Sequence, residues 1–540
     1  MKSLKLSGLP FFRHFTVVSF ISVLLLNLSV LEFGFDGSMM GLVQAMDSFD
    51  KDFHMYYGTS HHKLDPVKLS ILSSIGTPFR AAMILVALFI GERYGRWTLF
   101  VVMQLGSLAG ATVLYTSRTF VQIVVGRVLL TSFSGWHDWL IPMYLAEIVP
   151  GPVRGTVIAF YMIFSYLGSF LASVATFLCS HHFPDARQYR VPFSLMWVAP
   201  AICLLFCWVL PESPRWLVRK GRDDKAVRAL FRLNGSKNGY SPDEEARLLR
   251  QSIEEDSVTQ GSWKDLFRGT NKRRTVTVLM CIFLIQLTGQ AFVTKYGTIF
   301  VKGMNVMDPM EFGLLERGLG IVGPLTLMFI VDRLGRRQIY MTGAILYAGG
   351  LYIIGGVGTM EMHRVGNVII AMYIICAILH IIAYHGVCMI ASAEIPHLRL
   401  RDKTLTLSYF SSFLCEFGVS FSLPYLLYAP YANLESKVGF IYGSIAFAGV
   451  VWGYFYLPDT SKRSLEELEE LWQSGIAAYK FSSYKAHGGV GLRVSQLERH
   501  AGGGDASSSS EEDLRRMDSE GDNLKRVEVV HEEVVVPTKE

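Results

Sequence analysis

Ionisable side chains interrupt several long apolar stretches of this 540-residue sequence, at positions where a charge is costly to bury. Such groups are usually retained because they exchange a proton, bind an ion or pair with another charge. Glu32 precedes Asp36 by one helical turn, so the two carboxyl groups would share a helix face and could share a proton. The alternative is a set of static buried ion pairs. The full set is Glu32, Asp36, Arg80, Arg127, His137, Asp138, Lys295, His380, His385 and Glu416.

The apolar stretches are too long and too uniform for the core of a soluble domain. Hydrophobic residues make up 51% of the chain. They come in blocks of about 20 residues, and a helix of that length spans the roughly 30 Å of a bilayer's hydrocarbon layer. Lipid offers no partners to open backbone groups, so a spanning segment is best satisfied as a helix. The pattern therefore predicts an all-α membrane protein.

Twelve transmembrane helices are predicted, at approximately 15–40, 66–90, 98–116, 119–143, 155–179, 193–211, 275–301, 311–331, 339–358, 367–391, 405–428 and 437–457. The corresponding domains are a cytoplasmic N-terminus (1–14), an N-terminal six-helix bundle (15–211), a cytoplasmic linker with short helices (212–274), a C-terminal six-helix bundle (275–457) and a cytoplasmic tail (458–540). The end of the tail is rich in Gly, Ser and acidic residues, which predicts disorder after about residue 480.

The charges of the short loops orient these helices. Lys and Arg near the ends of spans favour the cytoplasmic side. The basic loop residues fall on one side of the predicted topology: Arg93, Arg96, Arg154, Arg333, Arg336, Arg337, Arg399, Arg401 and Lys403. The first loop of the opposite side carries Asp47, Asp50, Asp52 and Asp65. We therefore place both termini and the linker in the cytoplasm.

Three charged motifs occur twice, at matching places in the two predicted bundles. The members of the first pair follow the second and eighth spans, those of the second pair the fourth and tenth, and those of the third pair the sixth and twelfth. The pairs are GERYGRW (Gly91–Trp97) with VDRLGRRQ (Val331–Gln338), AEIVPGPVRG (Ala146–Gly155) with AEIPHLRLRDKT (Ala393–Thr404), and PESPRWL (Pro211–Leu217) with LPDTSKRSLEEL (Leu457–Leu468). Such an internal repeat is typical of large secondary transporters.

With these motifs the sequence resembles the sugar porter family of the major facilitator superfamily. FGFDGSMMGL (Phe33–Leu42) and EIPHLRLRDKT are most similar to fungal hexose and disaccharide permeases. The resemblance covers about residues 10–475. It implies the fold of that superfamily, in which two pseudo-symmetric six-helix bundles surround a central solute path.

The resemblance also implies a cytoplasmic gate, in which charged residues latch the two bundles together while the solute path faces outward. Arginine suits this role because its forked donors can bridge two carboxylates. By position, the gate residues are Glu92, Arg93, Arg96, Glu147, Arg154 and Glu212 in the first half, and Asp332, Arg333, Arg336, Arg337, Glu394, Arg401 and Asp459 in the second.

For proton coupling the resemblance implies Asp36 with Arg127 facing it. Glu32, where the family normally has an apolar residue, lies one turn before Asp36 and could share the proton. A carboxylate beside an arginine stays ionised and takes a proton when the two separate. The predicted substrate-binding residues are Gln286, Gln290, Lys295, Met389 and Glu416. Lys295 could instead extend to the lipid headgroups. Several residues that bind the sugar in the family are replaced here: Met389 stands where the family has a tryptophan, and Glu416 where it has an asparagine.

We therefore predict a transporter of a sugar or sugar-like solute that works by alternating access and proton symport, in the plasma membrane. The alternatives are a transporter of a polyol, a quinate-like acid or a secondary metabolite, and a nutrient sensor without transport. The partners are the solute, protons and the lipid bilayer. The net charge of +5 gives no case for nucleic acid. No metal-ligand spacing or nucleophile motif is present, so neither a metal, a cofactor nor an enzymatic activity is predicted.

Overall fold

The computed structural model of the chain describes residues 15–56, 64–149, 151–235, 241–258, 261–304, 306–360, 362–461, 468, 471–474 and 476–483. These residues are mainly helical, and the extended pairing among them is one isolated bridge between Tyr56 and Leu64. The predicted N-terminal segment 1–14 and most of the predicted tail lie outside the described residues.

The helices follow the predicted order of two bundles and a linker. Those of the first bundle are α1 (Val17–Val43), α2 (Asp47–Asp52), α3 (Pro66–Ser74), α4 (Gly76–Tyr94), α5 (Arg96–Thr116), α6 (Phe120–Ser134), α7 (His137–Ile148), α8 (Gly151–His182), α9 (Arg187–Leu195) and α10 (Val198–Phe206). The linker forms α11 (Pro214–Arg219), α12 (Asp223–Asn234) and α13 (Pro242–Val258). The second bundle contains α14 (Gly269–Leu287), α15 (Gly297–Met304), α16 (Pro309–Gly320), α17 (Val322–Leu334), α18 (Arg336–Val357), α19 (Met362–His380), α20 (Val387–Glu394), α21 (Arg401–Leu427) and α22 (Val438–Tyr456).

All these helices belong to one structural unit, Met1–Ser461 together with Ile476–Ser482. A second unit comprises Lys462–Gly475 and Ser483–Glu540, and most of its residues are not described. The predicted short helices of the linker are present. Trp216, Leu217 and Ala226 form the centre of a small apolar cluster in which α11, α12 and α13 pack together.

Eleven helical segments of the described chain are long and apolar enough to cross a membrane, and they coincide with eleven of the predicted spans. The predicted fourth span is divided into α6 and α7 by a turn at Gly135 and Trp136, so that neither part reaches spanning length alone. A Cβ at Gly135 would collide with the Arg80 side chain, which occupies the space beside the turn. The fold class, an all-α protein of two six-helix bundles, is thus confirmed.

Two other spans change helical pitch near the middle of their length. After α14, Gly289 adopts a positive φ of 92°, and Ala291–Lys295 form a π-helical turn. Between α19 and α20, Ile381–Gly386 form a second π-helical turn. Such turns release backbone and redirect side chains, and they are frequent at functional sites. Both lie in spans that carry predicted substrate-binding residues.

The two bundles begin and end equivalent helices in the same way. At one end, the Asp65 and Asp308 side chains cap α3 and α16 by accepting from Val67 N and Met310 N, and a proline follows each cap. We call this the outer end, in keeping with the predicted topology. At the other end, Gly95 and Gly335 join α4 to α5 and α17 to α18. The internal repeat of the sequence is therefore a repeat of structure.

Small residues allow the closest helix packing within the first bundle. Gly34 on α1 and Gly168 on α8 meet backbone of the opposite helix so closely that a Cβ at either position would collide with a carbonyl oxygen. The Ser169 hydroxyl donates to Gly34 O at 3.0 Å across the same contact. Between the bundles, α21 packs against α3 and α4, and α16 packs against α8. These helices surround the charged residues described below.

A substitution at Gly95 tests whether the turn that occurs in both bundles requires glycine. Its φ of 99° and ψ of 178° lie in a region that is nearly restricted to glycine, and a Cβ there would also collide with the Glu212 carboxylate. We expect Gly95→Ala to cost about 1–3 kcal/mol and to lower the thermal unfolding temperature of the purified protein. Gly349→Ala on α18 is the control, because nothing lies within 4 Å of its added Cβ. Equal unfolding temperatures for the two variants would contradict this account.

Candidate functional site

Asp36 lies in a buried ion pair between two helices of the first bundle. Its Oδ1 is 2.5 Å from Arg127 Nη1, which joins α1 to α6. The Ser134 hydroxyl, at the end of α6, donates to Asp36 Oδ2 at 3.0 Å. The structure thus brings together the two residues that the resemblance paired. Glu32 lies one turn earlier on α1, with His137 Nε2 3.7 Å from its Oε2.

A second ion pair joins Arg80 of α4 to Asp138 of α7. The Tyr161 hydroxyl on α8 donates to Asp138 Oδ1 at 2.7 Å. The Arg80 guanidinium also lies 4.2 Å from the ring centroid of Phe413, on α21 of the second bundle. A guanidinium over an aromatic face is attracted by the ring's negative centre. Arg80 therefore connects the two bundles.

A third ion pair lies in the second bundle. Lys295, in the π-helical turn, places Nζ 2.5 Å from Glu416 Oε1 on α21 and 3.4 Å from Ser420 Oγ. Lys295 is therefore directed to a protein carboxylate, and the alternative in which it extends to the headgroups is not observed. Glu416 also interacts electrostatically with Arg80 and Arg127. The three pairs thus form one connected set, the central charge cluster: Asp36, Arg80, Arg127, Asp138, Lys295 and Glu416.

Gln286 and Gln290 flank the break at Gly289 in the seventh span. Both are half-buried, and neither amide has a hydrogen-bond partner among the described residues. An amide both donates and accepts, so each is available to a solute hydroxyl. Met389 is half-buried on α20, and its sulfur is 3.5 Å from the Tyr409 hydroxyl. Gln286 and Gln290 lie in the same span as Lys295, whereas Met389 lies in the tenth span, on α20.

Sequence reasoning missed one buried charge pair. Glu316 and Arg317 are neighbours on α16, with 2.7 Å between Oε2 and Nη1, and both side chains are almost fully buried. Arg317 Nη2 also donates to Thr294 O, in the π-helical turn, at 3.3 Å. The available signal was the acid–base pair inside the apolar eighth span, in FGLLERGLG.

The predicted gate residues of the first half assemble around the N-terminus of α5. Arg96 forms a forked contact with Glu147, with both N–O distances at 3.1 Å. The Glu212 carboxylate accepts from the backbone N–H groups of Arg96 and Trp97 at 2.8 and 3.2 Å. A carboxylate is favoured at a helix N-terminus. Burial nevertheless raises the pKa of Glu212, and these N–H groups oppose that rise.

The second half repeats this assembly at α18. Arg336 Nη2 is 3.0 Å from Glu394 Oε1, and the Thr460 hydroxyl donates to the same carboxylate. A Cβ at Gly335 would lie 3.0 Å from Asp459 Oδ2, so Asp459 occupies the place that Glu212 takes at Gly95. In each half, therefore, the three repeated motifs meet at one point.

Other predicted gate residues do not join these assemblies. The side chains of Glu92, Arg93 and Arg333 are exposed. Arg337 donates to the carbonyl oxygens of Tyr454 and Tyr479, and Arg401 is half-buried at the start of α21. The side chains of Arg154 and Asp332 lie outside the described part of the structure. Each gate pair described above joins two elements of the same half of the chain, so none of these pairs links the two bundles.

A charge contact between the halves lies instead at the outer end. Lys302 Nζ, on α15, is 2.8 Å from Asp47 Oδ1 and 2.7 Å from Asp50 Oδ2, both on α2. Asp50 is fully buried, and burial raises the pKa of its carboxyl to about 6 against the opposing attraction of Lys302. The sequence revealed only the acidic character of this loop, because Lys302 is far away along the chain. We call these three residues the outer clamp.

Two helical bundles with polar breaks and paired charges near their common axis define a multi-pass membrane transporter of the major facilitator type. Among the residues described, no group of three or more His, Cys, Asp or Glu side chains is placed to hold a metal ion. The family model "Sugar (and other) transporter" matches residues 23–472. The chain belongs to this family, which consists of transporters and not of enzymes.

Known proteins agree with this assignment. The chain is 27% identical to the probable glucose transporter rco-3 of Neurospora crassa over 466 residues, 82% of this chain and 77% of the relative. It is 28% identical to the major facilitator-type transporter ecdD of Aspergillus rugulosus, over 89% of this chain and 91% of the relative. The solved proton:xylose symporter XylE of E. coli, bound to 6-bromo-6-deoxy-D-glucose, superposes with a TM-score of 0.65 at 20% identity, over 84% of this chain and 99% of XylE, which shows a common fold.

The Lys295–Glu416 pair allows a test of the central charge cluster. Lys295→Met should leave Glu416 buried without its partner and destabilise the protein by about 3–5 kcal/mol. The double variant Lys295→Met/Glu416→Leu should recover most of that loss, because it removes both charges. Thermal unfolding of the purified variants measures both effects. Arg187→Met is the control, since it breaks an ion pair whose side chains are 62% and 63% exposed. A double variant no more stable than Lys295→Met would contradict the pairing.

Proposed function

We propose that this protein moves a sugar or sugar-like solute across the plasma membrane together with protons, by alternating access. The observation that carries the proposal is the buried Asp36–Arg127 pair, which joins two helices of the first bundle beside the other charges of the central cluster. The similarity to a probable glucose transporter supports a sugar as the solute, and the similarity to the proton:xylose symporter XylE supports proton symport.

The pair supplies a switch because its two members can separate. While Arg127 contacts Asp36, the carboxylate is stabilised in its ionised form. If the Arg127 side chain withdraws while Ser134 stays in place, the carboxylate remains in an apolar site with only the Ser134 hydroxyl as a partner, and binding a proton relieves that cost. Transport follows if this separation occurs only when the solute is bound.

Alternating access requires that the two ends of the protein close in turn. At the outer end the clamp and the close contact between Gly41 of α1 and the Lys295 backbone hold the halves together. At the inner end the predicted gate charges are engaged within their own halves. These contacts suit a state that is closed outside. In the opposite state we expect the same arginines to exchange partners and latch the bundles.

Gln286 and Gln290 are the proposed readers of solute hydroxyls, and Met389 is proposed to line the same path. Lys295 and Glu416 are proposed to contact the solute from the opposite side of the broken span. A second candidate is a polyhydroxylated acid such as a quinate-like acid. The observation in its favour is the central charge cluster, since Lys295 retains 26% side-chain exposure and could exchange Glu416 for a solute carboxylate.

Solute accumulation against pH tests the proposed coupling. Asp36→Asn mimics the protonated acid and removes the reason for Arg127 to return. We expect the variant to abolish uphill accumulation and to spare exchange of solute across the membrane. The measurement is the ratio of internal to external label at two pH values, in transporter-null cells, with a panel of sugars, polyols and quinate-like acids.

Asp185→Asn is the matched control, because Asp185 is exposed in an ion pair outside the bundle interior. It should accumulate solute as the unaltered protein does. If the unaltered protein never exceeds the external concentration for any member of the panel at either pH, proton coupling is wrong. Transport without accumulation would then indicate a uniporter, and no transport of any member would favour a nutrient sensor.

The outer clamp predicts that the equilibrium between the closed and open outer ends depends on pH, and the burial of Asp50 fixes the direction of the change. In the closed state the pKa of Asp50 is about 6, above its ordinary value of 3.8, which it should regain when the outer end opens into water. The closed state therefore binds the proton more tightly. Acidification from pH 7 to pH 5 should favour outer closure by roughly tenfold. The groups that face Asp50 are Lys302, Asp47 and Tyr56. The raised pKa of Lys302 keeps its ammonium charged in this range, and the raised pKa of Tyr56 keeps its hydroxyl neutral.

Fluorescence energy transfer between dyes at Asp185→Cys and Tyr431→Cys, two exposed outer positions in different halves, measures this equilibrium. Lys302→Ala should increase the separated population, and Asp50→Asn should remove the response between pH 7 and pH 5. Lys51→Ala, an exposed lysine on the same α2, is the control. A population that opens on acidification would reverse the predicted sign and reject the assignment to Asp50.

A further inference from the structure

We propose that Glu32 and His137 form a second proton-binding site, in which protonated Glu32 donates to the neutral imidazole of His137. The use of this site in transport rests on the proposed function, whereas the bound proton itself can be tested without any transport. The two side chains are buried and lie outside the ion pairs of the central charge cluster.

Glu32 has none of the partners that an ionised carboxylate needs. It is 4% exposed on α1, and neither oxygen has a hydrogen-bond partner among the described residues. The Ser107 hydroxyl of α5 lies nearby without reaching hydrogen-bond geometry. An isolated carboxylate in such surroundings is so costly that the group normally takes a proton instead. The same position is acceptable for a neutral carboxylic acid with one acceptor beside it.

His137 supplies that acceptor. Its Nδ1 lies 2.7 Å from the Ser134 carbonyl oxygen, which can only accept, so Nδ1 must carry a hydrogen. In the neutral imidazole the lone pair is then on Nε2, which faces Glu32 Oε2 at 3.7 Å, so the two atoms must approach to about 3.2 Å or less for the acid to donate a hydrogen bond. An ionised Glu32 would place two lone pairs against each other in a dry core. One proton between the two atoms removes this conflict.

The proton belongs on Glu32 and not on His137. A carboxylate–imidazolium pair would bury two charges, while the acid–imidazole pair buries none, and only one contact is available to compensate. The ring of His137 is also stacked on Phe33 at 5.6 Å between centroids and is fully buried.

The charged groups near the site do not neutralise Glu32, because they are paired with each other. On α1 and α7 these are Asp36 and Asp138, and on α4 it is Arg80. On α10 the Cys203 thiol interacts with Glu32. Arg80 is paired with Asp138, and Asp36 with Arg127, so each of these charges already has a partner.

Ser134 connects this site to the Asp36–Arg127 pair. Its carbonyl oxygen accepts from His137 Nδ1, while its hydroxyl donates to Asp36 Oδ2 at 3.0 Å. Loss of the Asp36–Arg127 contact would therefore move the same residue that orients the imidazole. In transport, the site would act as a positioning element for Asp36 that senses whether this acid is ionised.

Infrared spectroscopy of the purified protein at pH 7 tests the proposal, because a protonated carboxylic acid has a carbonyl band that moves on exchange into heavy water. We expect this band in the unaltered protein and in Asp36→Asn, and we expect its loss in Glu32→Gln. His137→Phe should keep the band and shift it to higher frequency, since the carboxyl loses its acceptor. Glu316→Gln is the control and should keep the band, because Glu316 is ion-paired with Arg317.

A variant that fails to fold does not weaken the test, because glutamate labelled with carbon-13 at the carboxyl group assigns the band in the unaltered protein. A labelled band that moves to lower frequency, as a heavier carbonyl requires, supports a protonated glutamate. Absence of the band, a band that the glutamate label leaves unchanged, or a band that survives Glu32→Gln would overturn the proposal. Failure of the Asp36→Asn accumulation test would not, since it concerns coupling and not the proton on Glu32.

Discussion

The cost of burying a charge among apolar helices is the constraint on which the rest of this structure depends. Each charge of the central cluster has an opposite charge in contact, although the partners come from different helices. Removing two long charged side chains from water is tolerated only when their geometry and further hydrogen bonds compensate. The helices are therefore held in one rotational setting by their charges, and a change of setting must move charged partners together or exchange them.

This constraint also explains where the helices are irregular. The turn at Gly135 and Trp136 leaves room for the Arg80 side chain, which then reaches both Asp138 and the ring of Phe413. In the second bundle, the π-helical turn ending at Lys295 widens the helix and lets the ammonium reach α21. A regular helix would project these groups in fixed steps of 3.6 residues. The breaks in the helices therefore allow Arg80 and Lys295 to reach their charged partners.

Most of the fold was predictable because it follows from local patterns of the sequence. Apolar length predicts the spans, and the repeated motifs predict that Gly95 and Gly335 occupy equivalent turns. The partners of buried charges were less predictable, because pairing depends on how helices rotate against each other. Lys295 illustrates this point. Its position near the end of the span was compatible with contact to the lipid headgroups, and only the position of Glu416 in the fold shows that the ammonium contacts a carboxylate instead. The outer clamp was missed for the same reason, whereas the Glu316–Arg317 pair was visible in the sequence as two adjacent charges inside an apolar span.

The charge pairs at the two ends of the molecule differ: those described at the inner end lie within one half, whereas those of the outer clamp join the two halves. At the inner end, Arg96 and Arg336 are satisfied within their own halves, so separation of the halves there breaks none of these pairs. At the outer end, Lys302 is satisfied only by carboxylates of the other half among the described contacts, so opening there leaves a buried Asp50 to be hydrated. Electrostatics therefore oppose outer opening more than inner opening in this state.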